Sequence, residues 1–472
     1  MRRLIVLVSV AALMTVGASC QSSAESSGQP ATKPSGARPA PAPAAAAVPL
    51  VAVPNPLSGE NPTHPLVVLP LPQVGRAVTD GRFKTKLTRL TQQPKIRHEY
   101  SRYDPYNRDG SRIVLHDTDS GDLHVYRTGR LPLDRKDNLL KTVDMEQPRW
   151  DPRDPNVLWG LRDFTIITVT FPAGKTTVVK DFTKDPTIAP VLKAEPDLYR
   201  ITTRDEGEAS RDMRTWALIL QGSKDDYRHR YILTWDRQAD RVLGVYKLAA
   251  NEEIDWVGMS WSGRHVLIGG DSGAGRASGL CMADLALKKI HRLDHTTSHS
   301  DVGVDVNGND VIVMQNSRTD HVDLIPLSDK TRPCREEGDQ YAGTNRTKLL
   351  RLFYNSESSH GLNSGLHVSC NAPGYAVIST FMDQGVKEQN WLDRCIVLVR
   401  LDPAKPKVWY LAKLHTTHKA YWEEPHAVIT NDGSKVLWAT NWNRNVGQDK
   451  VFVMQLSLPP AWTGRRPKSP GR

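Results

Sequence analysis

After its first 20 residues the sequence has no apolar run long enough to span a membrane, and its mean hydropathy is −0.46. These two features exclude a protein with several transmembrane helices. The sequence also lacks a Gly-X-Y period and long heptads, which excludes collagen and coiled-coil architectures. Only five cysteines occur in 472 residues, without a CxxC pair or a Cys/His spacing typical of zinc. A structural zinc site is therefore not indicated.

The composition is that of an ordinary globular protein. With 39% hydrophobic and 24% charged residues, the chain can bury one large core or two smaller ones. Its net charge of +10 favours acidic partners, namely nucleic acid, anionic lipid or anionic polysaccharide. The cellular compartment decides among these.

The N-terminus predicts export. Arg2 and Arg3 precede the short apolar stretch 4–16, and the small residues 17–19 lead directly to Cys20. This pattern resembles a bacterial lipoprotein signal and predicts lipidation of Cys20, with simple secretion as the alternative. We therefore expect an exported protein, lipid-anchored to the bacterial cell envelope or periplasmic. Membrane contact would be through the lipid alone, and nucleic acid is not an expected partner.

Composition divides the remainder into three parts. Residues 21–78 are rich in Pro and Ala and predict a disordered tether. Residues 79–458 carry strand-like runs and predict the folded domain, while residues 459–472 predict a basic, disordered tail. An exported protein could pair its other four cysteines in three ways or keep them as buried thiols. These residues are Cys281, Cys334, Cys370 and Cys395.

A degenerate unit recurs seven times in the folded domain: a polar turn followed by a β-rich run. The spacing of roughly 45 to 65 residues suits four-stranded blades with variable loops. We therefore predict an all-β, seven-bladed β-propeller, with a two-domain β protein as the alternative. Residues 81–91 should complete the last blade beside residues 450–456 and so close the ring. The seven copies are residues 104–115, 151–160, 210–218, 260–268, 305–313, 371–380 and 430–440.

Three segments carry a resemblance to known proteins. Residues 423–442 (EEPHAVITNDGSKVLWATNW), 299–313 and 98–115 resemble blade motifs of TolB-like and oligogalacturonate-lyase-like exported propellers. The resemblance implies a metal in the central channel, held by three His and one Gln, and a basic residue that removes a proton. Glu423 stands here at the Gln position, and Val428 stands where a further His is expected.

Blade position predicts which side chains face the channel, because the residues just before each turn begin the innermost strand. His299, His367 and His426 come from three consecutive blades, so the ring should bring them together. With a carboxylate such as Glu424 or Glu423 they suit Mn, Zn, Ni or Fe. We assign His367, His426 and Glu423 to the metal. The alternative is a polar, hydrated channel without a metal.

If the protein is an enzyme, β-elimination on a uronate glycan is the most coherent chemistry. The resemblance and blade position together suggest His299 as the base, and Tyr103 or Tyr421 as the group that protonates the leaving oxygen. Basic residues near the ring could pair with uronate carboxylates. These candidate substrate-binding residues are Arg97, His98, Arg102 and Arg149.

The sequence thus supports two functions of different classes. The first is a monomeric propeller that binds an anionic polysaccharide or a cell-envelope protein through its channel mouth. The alternative is a metal-assisted polysaccharide lyase. The fold cannot separate them, since propellers serve both roles.

Overall fold

The structure is a computed structural model that describes residues 50–57, 62–225, 227–270, 273, 275–334, 345–353 and 365–459. The predicted signal peptide, Cys20 and nearly all of the predicted basic tail lie outside these ranges. The described residues form β-structure with one short α-helix, α1 (Ala189–Ala194). No helix within them has both the length and the apolar character needed to cross a membrane.

Strands account for most of the regular structure. In chain order they are β1 (Val51–Ala52), β2 (Ala77–Thr79), β3 (Lys86–Arg89), β4 (Ile96–Arg97), β5 (Arg112–Asp117), β6 (Leu123–Arg127), β7 (Leu139–Val143), β8 (Glu146–Trp150), β9 (Val157–Arg162), β10 (Thr165–Thr170), β11 (Lys175–Asp181), β12 (Leu198–Thr202), β13 (Thr215–Gly222), β14 (His229–Asp236), β15 (Arg241–Lys247), β16 (Ile254–Met259), β17 (Val266–Gly270), β18 (Leu280–Ala283), β19 (Ile290–Asp294), β20 (Ser300–Val304), β21 (Asp310–Asn316), β22 (His321–Pro326), β23 (Thr347–Arg351), β24 (Leu366–Ser369), β25 (Tyr375–Thr380), β26 (Cys395–Arg400), β27 (Lys407–Lys413), β28 (Val428–Ile429), β29 (Lys435–Thr440) and β30 (Phe452–Ser457). Short 3₁₀ turns span Lys136–Asn138, Phe182–Lys184 and Tyr421–Glu423.

These strands form seven antiparallel sheets, one for each blade. Blades 1 to 5 contain β4–β7, β8–β11, β12–β15, β16–β19 and β20–β23. Blade 6 contains β24–β27 with β1 at its edge, and blade 7 contains β28–β30 followed by β3 and β2. The first strands of neighbouring blades contact one another, as β20 does β24 and β24 does β28. The predicted all-β, seven-bladed propeller is confirmed.

Each repeat copy forms the hairpin between the first and second strands of one blade. Several of these turns contain a left-handed residue, and Gly110 in blade 1 and Gly433 in blade 7 supply it with φ of +69° and +71°. The apolar run after each turn becomes the second strand, and β13 and β17 are buried along their whole length. The turn residues and apolar runs together therefore set the period of the fold.

Strands from both ends of the domain close the ring. β3 pairs antiparallel with β30, with Leu87 opposite Leu456 and Arg89 opposite Met454. β2 then pairs with β3 at the outer edge of blade 7. The prediction that residues 81–91 complete the last blade is confirmed.

The segment before β2 packs on blades 6 and 7, where a disordered tether was expected through residue 78. β1 pairs with β27, and the Trp442 indole donates a 2.9 Å hydrogen bond to the Leu69 carbonyl. Leu50, Leu69 and Leu71 pack against the hydrophobic cluster of these blades. Burial of these scattered leucines outweighs the low complexity of the surrounding sequence. The contacts give the described part of the segment a fixed position on the propeller.

Apolar side chains between adjacent blades form the core. One cluster joins blades 4 and 5 through Trp256, Leu267, Ile312 and Ile325. Such clusters bury the faces of each sheet against its neighbours, which a single blade could not do alone. Four cysteines are buried free thiols, as one of the two expectations had it, and they form no disulfide among the described residues. They are Cys281, Cys334, Cys370 and Cys395.

The closing strand can be tested by its stability contribution. Leu87 is fully buried, so Leu87→Ala should leave a cavity and lower the free energy of unfolding by about 2–5 kcal/mol, measured by chemical denaturation. Lys86 is exposed on the same strand, and Lys86→Ala should change this free energy by less than about 0.5 kcal/mol. Equal losses in the two variants would contradict a closing role for β3.

Candidate functional site

Two imidazoles and a carboxylate converge at the centre of the ring, where blades 6 and 7 meet. His367 Nε2 lies 3.1 Å from Glu424 Oε2, and His426 Nε2 lies 3.3 Å from the same oxygen. One ligand atom of each residue lies within 4.8 Å of the other two. We call His367, Glu424 and His426 the channel cluster. Two nitrogens and one oxygen form a donor set suited to a divalent transition metal.

Each member of the channel cluster is held by a different piece of backbone. His367 belongs to β24, the first strand of blade 6. Glu424 directly follows the 3₁₀ turn that ends at Glu423. His426 precedes β28 and has φ of +42°, a left-handed conformation that few residues other than glycine adopt. The turn and this conformation bring residues 424 and 426 against His367.

A third imidazole, His418, holds the other oxygen of Glu424. His418 Nε2 lies 3.3 Å from Glu424 Oε1, and its Nδ1 lies 2.7 Å from Asp383 Oδ1. Burial acts to lower the pKa of His418, but the hydrogen bonds to Glu424 and Asp383 outweigh it and raise the pKa to about 9. His418 is therefore an imidazolium at neutral pH and orients the carboxylate towards the channel cluster.

The two histidines of the channel cluster are neutral. Burial lowers the pKa of His367 to about 4, against the opposing effect of Glu424. Burial also lowers the pKa of His426, and the neighbouring His367 and Arg97 add to the shift. Burial alone would raise the pKa of Glu424, but hydrogen bonds with His367, His418 and His426 hold it far below its usual range. A metal binds unprotonated imidazole and ionised carboxylate, so these charge states suit ligation.

Arg97, from the first strand of blade 1, is fully buried beside His426. Its guanidinium donates to the carbonyls of Trp422 and His98 at 2.6 and 3.0 Å, and also to Nδ1 of His426. Arginine can only donate, so Nδ1 of His426 accepts and the hydrogen of this neutral ring lies on Nε2. His98 is fully buried too, and its Nε2 contacts the His426 carbonyl. Both predicted substrate-binding residues thus support the channel cluster and have no exposed surface.

His299 lies against His367 from blade 5. The two rings stack with centroids 4.7 Å apart and planes 17° from parallel. Nδ1 of His299 contacts the Leu366 carbonyl, so Nδ1 carries a hydrogen and Nε2 is the nitrogen that could accept a proton. Since His299 is half-buried, solvent reaches it. The structure therefore brings His299, His367 and His426 together from consecutive blades, as their spacing predicts.

The predicted substrate-binding arginines Arg102 and Arg149 already have carboxylate partners. Arg102 is 2% exposed and pairs with Glu206 at 2.9 Å. Arg149 lies 3.5 Å from Glu99 and 3.7 Å from Glu208. Burial, against the effect of Arg149, raises the pKa of Glu99 to about 7. Both arginines are therefore paired with neighbouring, partly exposed carboxyl groups.

Glu423 does not belong to the channel cluster, and Glu424 stands in its place. Glu423 is fully buried, and its carboxylate accepts hydrogen bonds from the backbone. Its four donors are the amides of Lys419, Ala420, Gly447 and Gln448. These bonds occupy both oxygens and shape the loop, so Glu423 is a structural residue and the assignment of Glu423 to a metal is corrected.

The two predicted tyrosines have different surroundings. Tyr103 is 4% exposed, and its hydroxyl donates to the Asp205 carbonyl. That hydroxyl is therefore committed to the protein interior. Tyr421 is 48% exposed, and its ring centroid lies 5.5 Å from that of His426. Only Tyr421 of the pair is positioned to meet a ligand at the channel mouth.

Sequence reasoning missed His418 and Tyr100. The Tyr100 ring lies 4.7 Å from that of His426 and 5.6 Å from that of His367. The repeat predicts one channel-facing residue shortly before each turn, and neither Tyr100 nor His418 stands at that position. A signal for His418 exists in the sequence, because it closes the run HTTH shortly before Glu424.

The role of Glu424 can be tested through His418. Glu424→Gln removes the charge that supports the imidazolium, so the pKa of His418 should fall from about 9 towards its ordinary value in an NMR titration of the ring. A raised pKa stabilises the fold below about 6.5, and this contribution is lost as pH rises through about 9. Wild type should therefore lose more stability across this range than the variant.

Asp383→Asn is the matched control for this titration, because it removes the other carboxylate and leaves Glu424 in place. It should lower the pKa of His418 only in part. An unchanged pKa in Glu424→Gln would refute the arrangement described above.

Comparisons with known proteins identify the fold. No protein-family model and no curated protein sequence matches the chain. Among solved structures, oligogalacturonate lyase from Vibrio parahaemolyticus matches 82% of this chain and 97% of its own, with a TM-score of 0.52 and 10% identity. An oligogalacturonate lyase in complex with manganese matches 86% of this chain and 99% of its own, with a TM-score of 0.51 and 11% identity. In fold, this chain is an oligogalacturonate-lyase-like β-propeller.

Proposed function

We propose that the protein is a metal-assisted polysaccharide lyase that cleaves a uronate-containing glycan by β-elimination. The observation that carries this proposal is the channel cluster, where three donor atoms of metal-binding type lie within 4.8 Å of one another. The fold it shares with an oligogalacturonate lyase in complex with manganese supports the same chemistry.

The residues of the channel cluster fit a divalent metal. Nδ1 of His367 is buried without a hydrogen-bond partner in the described part of the chain, a costly state for a polar nitrogen. His367, His426 and Glu424 would hold Mn, Zn, Ni or Fe. When bound, the ion would act as a Lewis acid that stabilises the uronate carboxylate and the enolate charge developing beside it.

His299 is the proposed base. Elimination requires removal of the weakly acidic proton next to the uronate carboxylate, and a neutral imidazole is suited to this near pH 7. The contact of its Nδ1 with the Leu366 carbonyl leaves the lone pair on Nε2. Stacking on His367 fixes the plane of the ring next to the channel cluster.

Tyr421 is the proposed proton donor to the leaving oxygen. Its exposure and its closeness to His426 support this role. Tyr103 is not retained for this role because its hydroxyl is bonded to the Asp205 carbonyl.

A second function is favoured by one contact. Arg97 donates to Nδ1 of His426, which places the ring hydrogen on Nε2 and opposes ligation by that nitrogen until Arg97 turns away. With Arg97 retained in this position, the protein would bind an anionic glycan or a cell-envelope protein at the channel mouth without cleaving it. The metal content of the protein separates the two functions.

The location of the protein remains a proposal from sequence. The signal-like segment that ends at Cys20 supports export with lipid anchoring to the cell envelope. An exported, monomeric enzyme or binding protein would meet polysaccharides directly, which agrees with an anionic glycan as its ligand.

Metal content is the first test of the channel cluster. Purified full-length protein, loaded with Mn²⁺ and dialysed, should retain near-stoichiometric metal by elemental analysis. His367→Ala/His426→Ala should lower the bound metal at least tenfold. His124 lies on β6 and bonds to Thr142, so His124→Ala removes an imidazole elsewhere and should retain the metal. Absence of metal from all three proteins would reject the metal-assisted lyase and favour the binding function.

The base is tested by product formation from polygalacturonate, followed by ultraviolet absorbance of the unsaturated uronate. His299→Ala should reduce kcat by about 10²–10⁴-fold while the bound metal stays at the wild-type level, because His299 is outside the channel cluster. Tyr103→Phe removes a hydroxyl that is turned into the protein and should keep most of the activity. Undiminished activity in His299→Ala would reject His299 as the base.

A further inference from the structure

A half-open groove of about 590 Å³ lies at the outer part of blades 1 and 2, away from the channel cluster. It is formed by the start of β5, the loop between β6 and β7, and Pro172 of blade 2. Its volume falls within the range of about 300–1,000 Å³ that is usual for small-molecule sites. We call it the blade 1 pocket.

The blade 1 pocket lies at the opposite end of the strands from the channel cluster. In blade 1, Ile96 pairs with Asp117 at one end of β5, and Tyr106 pairs with Ile113 at the other end. Arg97, which contacts His426, lies beside the end of β5. Arg112, which lines the pocket, lies at the start of β5. A ligand in this pocket would therefore occupy a site separate from the channel mouth.

The walls of the pocket are fixed by hydrogen bonds. The buried Asn138 side-chain amide donates to the carbonyls of Arg130, Pro132 and Leu133 at 2.9, 3.1 and 3.2 Å. Thr128 bonds through its hydroxyl to the Gly110 carbonyl at 2.5 Å. The loop between β6 and β7 is thus held in shape, which lowers the entropy cost of binding a ligand.

The pocket carries an excess of positive charge. Arg112, Arg127 and Arg130 line it together with a single carboxylate, Asp137. Arg135 already binds both oxygens of Asp137, at 2.7 and 2.9 Å, whereas Arg130 is 3.8 Å from the nearer one. Arg112 donates to the Pro155 carbonyl at 3.3 Å. The charges of Arg127 and, beyond its long contact with Asp137, of Arg130 are therefore left for an anionic ligand.

The lining also includes surfaces suited to a sugar ring. Leu140 and Pro172 contribute apolar surface, and the hydroxyls of Ser111 and Thr128 lie beside it. An apolar patch flanked by hydroxyls and guanidinium groups matches a pyranose, whose ring has apolar CH faces and polar edges. A guanidinium binds a carboxylate through two parallel hydrogen bonds.

We propose that the blade 1 pocket binds a uronate-containing oligosaccharide. The choice of uronate as the anion rests on the proposed function of the channel cluster. The pocket would hold one part of a polymeric glycan at the opposite end of the propeller from the site of cleavage. Two such sites on one chain raise the effective concentration of a long polymer at the channel mouth.

The test measures binding of an oligogalacturonate of defined length to full-length protein by calorimetry, in a His299→Ala background so that the ligand is not cleaved. Arg127→Ala/Arg130→Ala should weaken the Kd at least tenfold. Added salt should weaken binding to the starting protein more than binding to this variant, because exposed charges are screened. A neutral oligosaccharide of the same length should bind much more weakly, and inorganic phosphate should compete poorly.

Arg76→Ala/Arg241→Ala is the matched control, because it removes the same charge from exposed positions on other strands or loops. It should leave the Kd within about twofold of the starting protein. Equal Kd values in the two double variants, no binding at all, or equal binding of the neutral sugar or phosphate would overturn the proposal.

This outcome is separable from failure of the proposed function. Metal content and unsaturated products depend on the channel cluster, whereas the Kd change depends on Arg127 and Arg130. Pocket binding without metal or products would reject the lyase alone. Metal and products without a Kd change in the pocket variant would reject the pocket alone.

Discussion

Pairing between β3 and β30 is the contact on which the remaining structure depends. A propeller blade cannot bury its two faces by itself, so each blade is stable only between neighbours. Blade 7 has just three strands from the C-terminal part of the chain, and β3 supplies its fourth. Once Leu87 lies opposite Leu456, blade 1 is fixed beside blade 7, and Arg97 of the former reaches His426 of the latter. The geometry of the channel cluster is therefore a consequence of ring closure.

Within that ring, the charge of Glu424 orders the imidazoles around it. Burial opposes ionisation of every group present, and one carboxylate cannot stabilise three buried imidazoliums. The proton resides on His418 because this ring has a second carboxylate, Asp383, and its side chain keeps 19% of its exposure. His367 and His426, with at most 2% exposure, are neutral. Glu424 thus contacts the charged His418 through Oε1 and the two neutral rings, His367 and His426, through Oε2.

The sequence was sufficient to predict the seven blades, the closing strand and the meeting of His299, His367 and His426, because turn residues and apolar runs repeat with the period of a blade. Other features have no such period. The segment before β2, which carries Leu69 and Leu71, makes isolated apolar contacts within low-complexity sequence, so its composition indicated disorder. The choice between Glu423 and Glu424 depends on a 3₁₀ turn that directs adjacent side chains to different places, and no residue pattern distinguishes them.

Whether the net positive charge of the chain can attract an anion depends on where each cation lies and whether a carboxylate pairs with it. Arg102 is buried against Glu206, and Arg346 is 8% exposed between Asp294 and Asp323. Such cations are neutralised within the fold and cannot attract a distant anion. Arginines that keep solvent contact and lack a close carboxylate set the field around the molecule. Arg127 is an exposed residue of this kind, and Arg130 is exposed with only a 3.8 Å contact to Asp137. Both lie at the opposite end of the blade 1 strands from the channel cluster. The positive charge that indicated an acidic partner is thus exposed at the blade 1 pocket, whereas Arg102 and Arg149 near the channel cluster are paired with carboxylates.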